Sequence, residues 1–304
     1  MNSWIVETEK LTKAIGGKAV VNDVKIQIGQ GDIYGFLGPN GAGKTTTIRM
    51  LLGLAKPTQG SIRIFGKDLR KERLSILRKV GSLVEYPSYY GHLNARENLE
   101  VVRRLLGAPR ARIGEVLDVV RLTAESSRPV KGFSLGMKQR LGIATALLGQ
   151  PELLILDEPT NGLDPAGILE IRELIKRMPK ELGMTVLVSS HLLSEIEQMA
   201  TKVGIIAKGR MLFQDSIGAL RERAQAKVRL GVSDPESAWR QLLAAGYEAE
   251  WDRSRLTVNG ASDSRIAAIV ASLVRQDFDV YRVEEEGASL ESIFLKMTGG
   301  EGSL

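Results

Sequence analysis

The segment Gly38-Pro39-Asn40-Gly41-Ala42-Gly43-Lys44-Thr45 constrains this chain more than any other. Its eight residues fit the pattern G-x-x-x-x-G-K-[ST]. The apolar run Ile33-Tyr34-Gly35-Phe36-Leu37 precedes it, and a helix-forming stretch from Lys44 to Leu54 follows. Successive backbone N–H groups can wrap a phosphate only where glycine permits positive φ and close approach. The dipole of the following helix adds a favourable field. Lys44 supplies an ammonium for the β- and γ-phosphates, and Thr45, followed by Thr46, supplies a hydroxyl for Mg²⁺. A chance glycine turn is the competing explanation, and the strand and helix on either side argue against it.

A carboxylate pair far along the chain supports the same chemistry. Leu153-Leu154-Ile155-Leu156-Asp157-Glu158 reads as a buried strand with two acids at its C-terminal end, where doubly wound sheets bind ligands. Asp157 is expected to hold Mg²⁺ through water. Glu158 is expected to face the space beyond the γ-phosphate, where a general base meets the attacking water. Two acids that only cap a strand are the plain alternative.

Extended and helical segments alternate around these motifs. Strands are expected at Trp4 to Thr8, Val20 to Ile28, Ile33 to Leu37, Ser61 to Phe65, Val80 to Val84, Leu153 to Leu156, Thr185 to Ser189 and Val203 to Ala207. Helices are expected at Arg96 to Leu106, Ile113 to Val120, Lys138 to Leu148 and Ala166 to Met178. Such alternation implies an α/β body with a mostly parallel sheet covered on both faces. The stretch of about 86–150 shows helices only, as an inserted α-helical subdomain would. After residue 222 the rhythm changes: Val228, Leu230 and Val232 alternate, a hairpin follows over Tyr247 to Asn259, and Ile266, Ile269, Val270 and Leu273 make a helical stripe. The expected organisation is a body over 1–222 and a small α+β domain over 223–304.

Composition narrows the classes that remain. There are 304 residues, 43% hydrophobic and 26% charged, ample for a packed core. No stretch reaches the ~18 consecutive apolar residues of a spanning helix. The opening Met-Asn-Ser-Trp-Ile-Val-Glu-Thr-Glu-Lys lacks the apolar centre of a secretory signal. The absence of cysteine excludes disulfides, thiolate metal sites and Cys nucleophiles. The net charge of +6 is small and spread out, and its densest patch runs from Lys67 to Lys79. That patch reads first as the solvated face of an amphipathic helix and second as a contact for anionic lipid or polynucleotide.

At Phe133-Ser134-Leu135-Gly136-Met137-Lys138-Gln139-Arg140 the chain resembles the signature motif of the ATP-binding cassette (ABC) proteins, usually Leu-Ser-Gly-Gly-Gln. Ser134 and Gly136 are kept, while Leu135 and Met137 replace the first glycine and the glutamine. Asn161-Gly162-Leu163-Asp164 stands at the family's D-loop, and Val188-Ser189-Ser190-His191 at its switch histidine. The five motifs, in cassette order, cover about 1–220. The resemblance implies a Mg-dependent ATPase in which Ser134 and Gly136 meet the γ-phosphate held by a second cassette, as homodimer or heterodimer. It implies that His191 contacts that phosphate and orients Glu158, and that a separate integral membrane permease is the partner. The chain would then lie peripherally at the cytoplasmic face of the cell membrane, with no nucleic acid involved.

Two departures refine the resemblance. Glu85, in Leu83-Val84-Glu85-Tyr86-Pro87, occupies the place of the family's Q-loop glutamine, a metal and permease contact. A carboxylate still suits Mg²⁺. Ile15 stands where an aromatic usually stacks on adenine. Glu85, the wording Phe133 to Ala144, and Gly31 to Gly38 together look like the bacterial transporters that give self-protection against bacitracin and lantibiotics. Ser289 to Gly299 resembles the C-terminal extension of drug-resistance cassettes. The alternatives are the ATPase of another drug or lipid exporter, and a soluble non-transport cassette. Repair cassettes split their two ATP motifs with a long coiled coil, and translation-associated ones carry two phosphate loops. Here Lys44 and Asp157 are 157 − 44 = 113 residues apart without heptads, and one loop is present.

Overall fold

The computed structural model describes residues 4–84, 88–223, 227–252, 255–259, 263–286 and 290–299. The chain divides into two compact units between Ile217 and Gly218. In the first unit the elements run β1 (Val6–Ile15), β2 (Lys18–Val24), β3 (Gln27–Ile28), β4 (Ile33–Leu37), α1 (Lys44–Leu51), β5 (Gln59–Ile64), β6 (Lys67–Asp68), α2 (Arg73–Leu77) and β7 (Val80–Leu83). Three helices come next: α3 (Ala95–Leu106), α4 (Arg112–Val119) and α5 (Leu135–Leu147). The unit continues with β8 (Leu153–Asp157), α6 (Pro165–Leu182), β9 (Thr185–Ser190), α7 (Leu193–Met199), β10 (Lys202–Ala207) and β11 (Arg210–Ser216), and α8 (Ile217–Arg223) crosses the division.

Two sheets share the first unit. One has the order β11-β10-β4-β9-β8-β7 and is parallel except at its β10–β11 edge. Its central strands β4, β8 and β9 are buried along their whole length, which is why they read as continuous apolar runs. The other sheet is antiparallel, with the order β2-β1-β5-β6 and β3 added to β1. The sequence pattern placed all these strands in one mostly parallel body. The short Gly16-Gly17 connection turns β1 back into β2, and so tight a link can join only antiparallel strands.

The stretch Val20 to Ile28, expected as one strand, breaks into β2 and β3. The buried Thr8 hydroxyl bridges the break, donating to the Val24 carbonyl at 3.0 Å and accepting from the Ile26 N–H at 2.8 Å. Helix α1 joins the sheets. Its Ile48, Met50 and Leu51 are fully buried in one apolar cluster that also holds Val6, Ile64, Leu153 and Ile155. Each such side chain contributes about 1.5–3 kcal/mol by burial. That packing fixes the helix whose first turn carries Lys44 and Thr45.

The helices between β7 and β8 bury Leu99, Val116, Leu117 and Leu141, and α5 packs against β7 as well as against α3 and α4. Asn94 and Glu97 form a capping box at the start of α3. Helix α5 begins three residues before the expected Lys138, because the Ser134 side chain accepts from the Met137 N–H and caps the helix there. The Lys67–Lys79 patch departs further from expectation. It folds as a two-residue strand and the five-residue α2, which buries Ile76 alone.

The second unit has its own sheet of four antiparallel strands, ordered β13-β14-β12-β15: β12 (Lys227–Val232), β13 (Ala249–Asp252), β14 (Arg255–Asn259) and β15 (Val280–Glu286). Helices α9 (Pro235–Ala244), α10 (Asp263–Arg275) and α11 (Leu290–Thr298) complete it. Val228, Leu230, Leu242, Leu256 and Ile269 form its separate core. Among the described residues no helix is long and apolar enough to cross a membrane.

Gly81 lets β7 lie against α5: a Cβ there would come within 2.4 Å of the Ala146 carbonyl oxygen. Backbone cannot retreat as a flexible side chain can. Gly81→Ala is expected to destabilise the first unit by about 1–3 kcal/mol in urea unfolding, and an unchanged midpoint would refute this packing.

Candidate functional site

The parallel register sets three strand ends side by side. Leu37 of β4 pairs with Ser190 of β9, and Asp157 of β8 pairs with Ser189. The phosphate loop leaves β4, the two acids leave β8 and His191 leaves β9 at this edge. One register therefore collects residues that are more than a hundred positions apart.

Gly43 caps α1 at φ 107°. A Cβ here would stand 2.8 Å from the Val20 carbonyl oxygen, so β2 packs directly against the loop and only glycine fits. The loop is tied again through Ala42, whose N–H donates to Pro39 and whose carbonyl accepts from Gly209. Gly38, Pro39, Asn40, Gly41 and Ala42 thus make a backbone cradle that ends at Lys44, Thr45 and Thr46 in the first turn of α1.

Lys44 is 6% exposed, and its ammonium has three partners. It donates to the Gly38 carbonyl at 2.6 Å and the Pro39 carbonyl at 3.3 Å, and pairs with Glu158 Oε1 at 3.1 Å. Glu158 is one-fifth exposed, and its Oε2 lies 2.8 Å from His191 Nδ1. That contact requires the proton on Nδ1. The line Lys44–Glu158–His191 spans the phosphate loop, the acid pair and the switch position.

Glu158 has φ 50°, in the left-handed region, at a cost of about 1–2 kcal/mol for a side-chain-bearing residue. Ser189 helps to hold it there. The Ser189 hydroxyl accepts from the Glu158 N–H at 2.9 Å and donates to Asp157 Oδ1 at 2.5 Å. A second layer lies behind. The buried Glu195 accepts from the hydroxyls of Thr160 at 2.6 Å and Ser190 at 3.0 Å. Neither Ser189 nor Glu195 was assigned a role from the sequence. The available signal was a Ser-Ser pair ending an apolar strand, where small polar groups in a buried row need partners.

Asp157 is buried and meets Ser189 through one oxygen, and Thr45 offers a hydroxyl near the start of α1. Among the described residues no three His, Cys, Asp or Glu side chains cluster as a metal site. This donor set fits Mg²⁺, which takes one or two protein oxygens and completes its shell with water and substrate phosphates. Glu85, the other expected metal contact, lies outside the described residues.

Ser134 and Gly136 sit elsewhere in the unit. They line a cavity of 470 Å³ together with Gly162, Leu163 and Asp164. Asp164 caps α6 by accepting from the Gly167 N–H at 3.0 Å. Signature and D-loop are therefore neighbours, and no residue of the phosphate loop lines their cavity. Ile15 is exposed. A second cleft of 390 Å³ runs between the end of β7 and helices α3 and α5, lined by Ser88, Tyr89, Tyr90, Asn98 and Thr145 among others. The Tyr89 hydroxyl donates to the Lys138 carbonyl at 2.5 Å. Burial pushes that phenol far above its usual pKa, so it acts as a neutral donor.

A phosphate cradle opening a helix, an acid pair on the neighbouring strand and a histidine joined to it define a phosphate-loop nucleotide-binding protein. Comparison with known proteins narrows the class. Residues 21–161 match the family model described as ABC transporter. The bacitracin transport ATP-binding protein BcrA of Bacillus licheniformis is 45% identical over 306 residues, covering 98% of this chain and 98% of that one. The lantibiotic transport ATP-binding protein SrtF of Streptococcus pyogenes is 45% identical over 210 residues, covering 69% of this chain and 90% of its own. A solved dimeric, post-hydrolysis ATP-binding cassette bound to ADP and Pi superposes with TM-score 0.62 at 26% identity, over 70% of this chain and 98% of its own. The chain belongs to the ABC transporter family as one of its ATP-binding cassettes.

Ser189→Ala would leave a buried carboxylate oxygen and the Glu158 N–H without their partner. Loss of about 1–3 kcal/mol is expected, together with slower ATP hydrolysis. Wild-type stability and turnover in this variant would contradict the bridging role.

Proposed function

We propose that this chain is the ATP-hydrolysing subunit of a bacterial exporter that removes peptide antibiotics of the bacitracin or lantibiotic kind. The observation that carries the reading is the Lys44–Glu158–His191 line at the phosphate loop. Lys44, with three N–H donors, is fully engaged by two loop carbonyls and Glu158. A γ-phosphate entering the loop competes for this ammonium. As Lys44 turns to the phosphate, Glu158 loses its counter-ion and becomes available to take a proton from the attacking water. His191 holds the carboxylate by its Nδ1 proton and keeps it aimed as water approaches. Asp157 and Thr45, with Glu85 as a further oxygen donor, would hold Mg²⁺, which would supply charge neutralisation at the phosphates.

Ser134 and Gly136 lie at a cavity without any phosphate-loop residue, which supports a role toward a second cassette. In that arrangement the Ser134 hydroxyl and the N-terminus of α5 meet the γ-phosphate bound by the other subunit, homologous or identical, beside Asp164. Triphosphate then favours the closed pair, and its cleavage releases it, the differential binding a conformational cycle needs. The cleft beside Tyr89, lined by Val84 and Ser88 and by Gly142 and Thr145 of α5, is the surface we assign to an integral membrane permease. That contact would place the chain peripherally at the cytoplasmic face of the membrane. The peptide cargo is supported by the kinship to BcrA and SrtF, whose names give bacitracin and lantibiotic transport.

Two measurements test this. Glu158→Gln is expected to bind ATP at least as tightly as wild type, because the competitor for Lys44 is weakened, and to hydrolyse it about 10²–10⁴-fold more slowly. Retained turnover would remove Glu158 as the base. Deletion of the gene is expected to sensitise cells to bacitracin or a lantibiotic, and the tagged chain to copurify with an integral membrane protein. Recovery of ribosomes or DNA alone would overturn the transport reading.

A further inference from the structure

The basic segment that the catalytic reading leaves unused lies on α2 and its approaches. Within residues 67–79, Lys67, Arg70, Lys71, Arg73, Arg78 and Lys79 are accompanied by the two acids Asp68 and Glu72, a local surplus of 6 − 2 = 4 in a chain of net charge +6. Lys67 pairs with Glu72, and Lys79 with Glu152. Among the described residues Arg70, Lys71, Arg73 and Arg78 have no carboxylate partner. Arg70 and Arg73, with Lys56, line a 420 Å³ cavity that has no acid in its wall and is backed by the buried Met50, Ile62 and Leu69.

The shape of this face matters as much as its charge. The Arg73 side chain packs against Gly53, where a Cβ would stand 2.8 Å from Nε. That contact joins α2 to the turn after α1. Each segment presents an aliphatic side chain outward: Leu54 is 65% exposed and Leu74 77%. Leu54 also lines the cleft beside Tyr89, and both leucines leave apolar surface in water, which costs free energy.

We propose that this face docks on an anionic phospholipid surface. The cations meet lipid phosphates while Leu54 and Leu74 enter the headgroup–acyl boundary, as in interfacial amphipathic segments. A polynucleotide would use the cations but offers nothing to exposed aliphatic side chains, and single-strand binders present aromatic platforms instead. The inference rests on the reading of the chain as a transporter subunit, which brings it to a membrane, and adds a lipid contact beside the cleft assigned to the permease, whose wall Leu54 shares.

Flotation of the purified full-length chain tests it, with vesicles of phosphatidylcholine alone and vesicles containing about one-third phosphatidylglycerol. Binding is expected to the anionic vesicles only and to vanish in about 1 M salt, where screening reaches ~3 Å. Lys71→Ser is expected to weaken it roughly fivefold, the worth of one basic residue near such a surface, and Arg73→Glu by more. Leu74→Ser, at a side chain too exposed to serve the fold, is expected to weaken it with the salt dependence unchanged. All three variants should retain ATP hydrolysis. No flotation, equal binding to both vesicle types, variants that float like wild type, or binding of an oligonucleotide but not of vesicles would each overturn the proposal. Copurification with an integral membrane protein separates the two readings: flotation lost with copurification intact removes the lipid contact alone, and flotation intact with no membrane protein recovered removes the transporter reading alone.

Discussion

The Lys44 ammonium, shared between the carbonyls of Gly38 and Pro39 and the carboxylate of Glu158, is the interaction around which the cassette is organised. It is almost fully buried, so its charge must be answered at short range. The loop carbonyls answer it from one strand end and Glu158 from another. That exchange is possible only because β4, β9 and β8 are adjacent and in parallel register, which sets the phosphate loop, His191 and the acid pair at one edge. Displacing β8 by one residue would exchange the faces of Asp157 and its neighbours. Glu158 is held in a left-handed backbone that costs energy in isolation, and the Ser189 bridge offsets part of it.

In the proposed reading a single copy carries half of a site. The signature serine and glycine border a cavity with the D-loop, away from the phosphate loop. Residues that would act on one phosphate therefore belong to different surfaces of the chain. In the proposed cycle a second cassette brings the missing half, and nucleotide chemistry becomes a change in association. The second unit, from Gly218 on, contributes a separate apolar core.

Much of the site was legible because phosphate binding is local chemistry. Eight consecutive residues encode the cradle, and an apolar run ending in two acids encodes a strand end. The family's other motifs needed only order and spacing. What the sequence hid was long-range. Alternating strands do not record their pairing, so the antiparallel sheet of β1, β2, β5 and β6 merged with the parallel one in a linear reading. Short elements such as α7 and β11 carry too little periodicity to stand out. Ser189 acts across strands on Glu158, 31 positions away, and Glu195 reaches from α7 to Thr160, 35 positions away, as well as to nearby Ser190, and no local pattern marks the long bridges. The charged segment at Lys67–Lys79 misled in another way: its spacing suits a helix, but pairing of Lys67–Asp68 with β5 uses up the first turn.

The account is tested most directly by a structure of the Glu158→Gln chain with ATP and Mg²⁺. The account predicts that the Lys44 ammonium leaves the Gly38 and Pro39 carbonyls and residue 158 for the phosphates, with Ser134 of a second cassette against the γ-phosphate. ATP bound while Lys44 keeps its present partners, or bound in the loop of a lone copy with Ser134 in solvent, would contradict it.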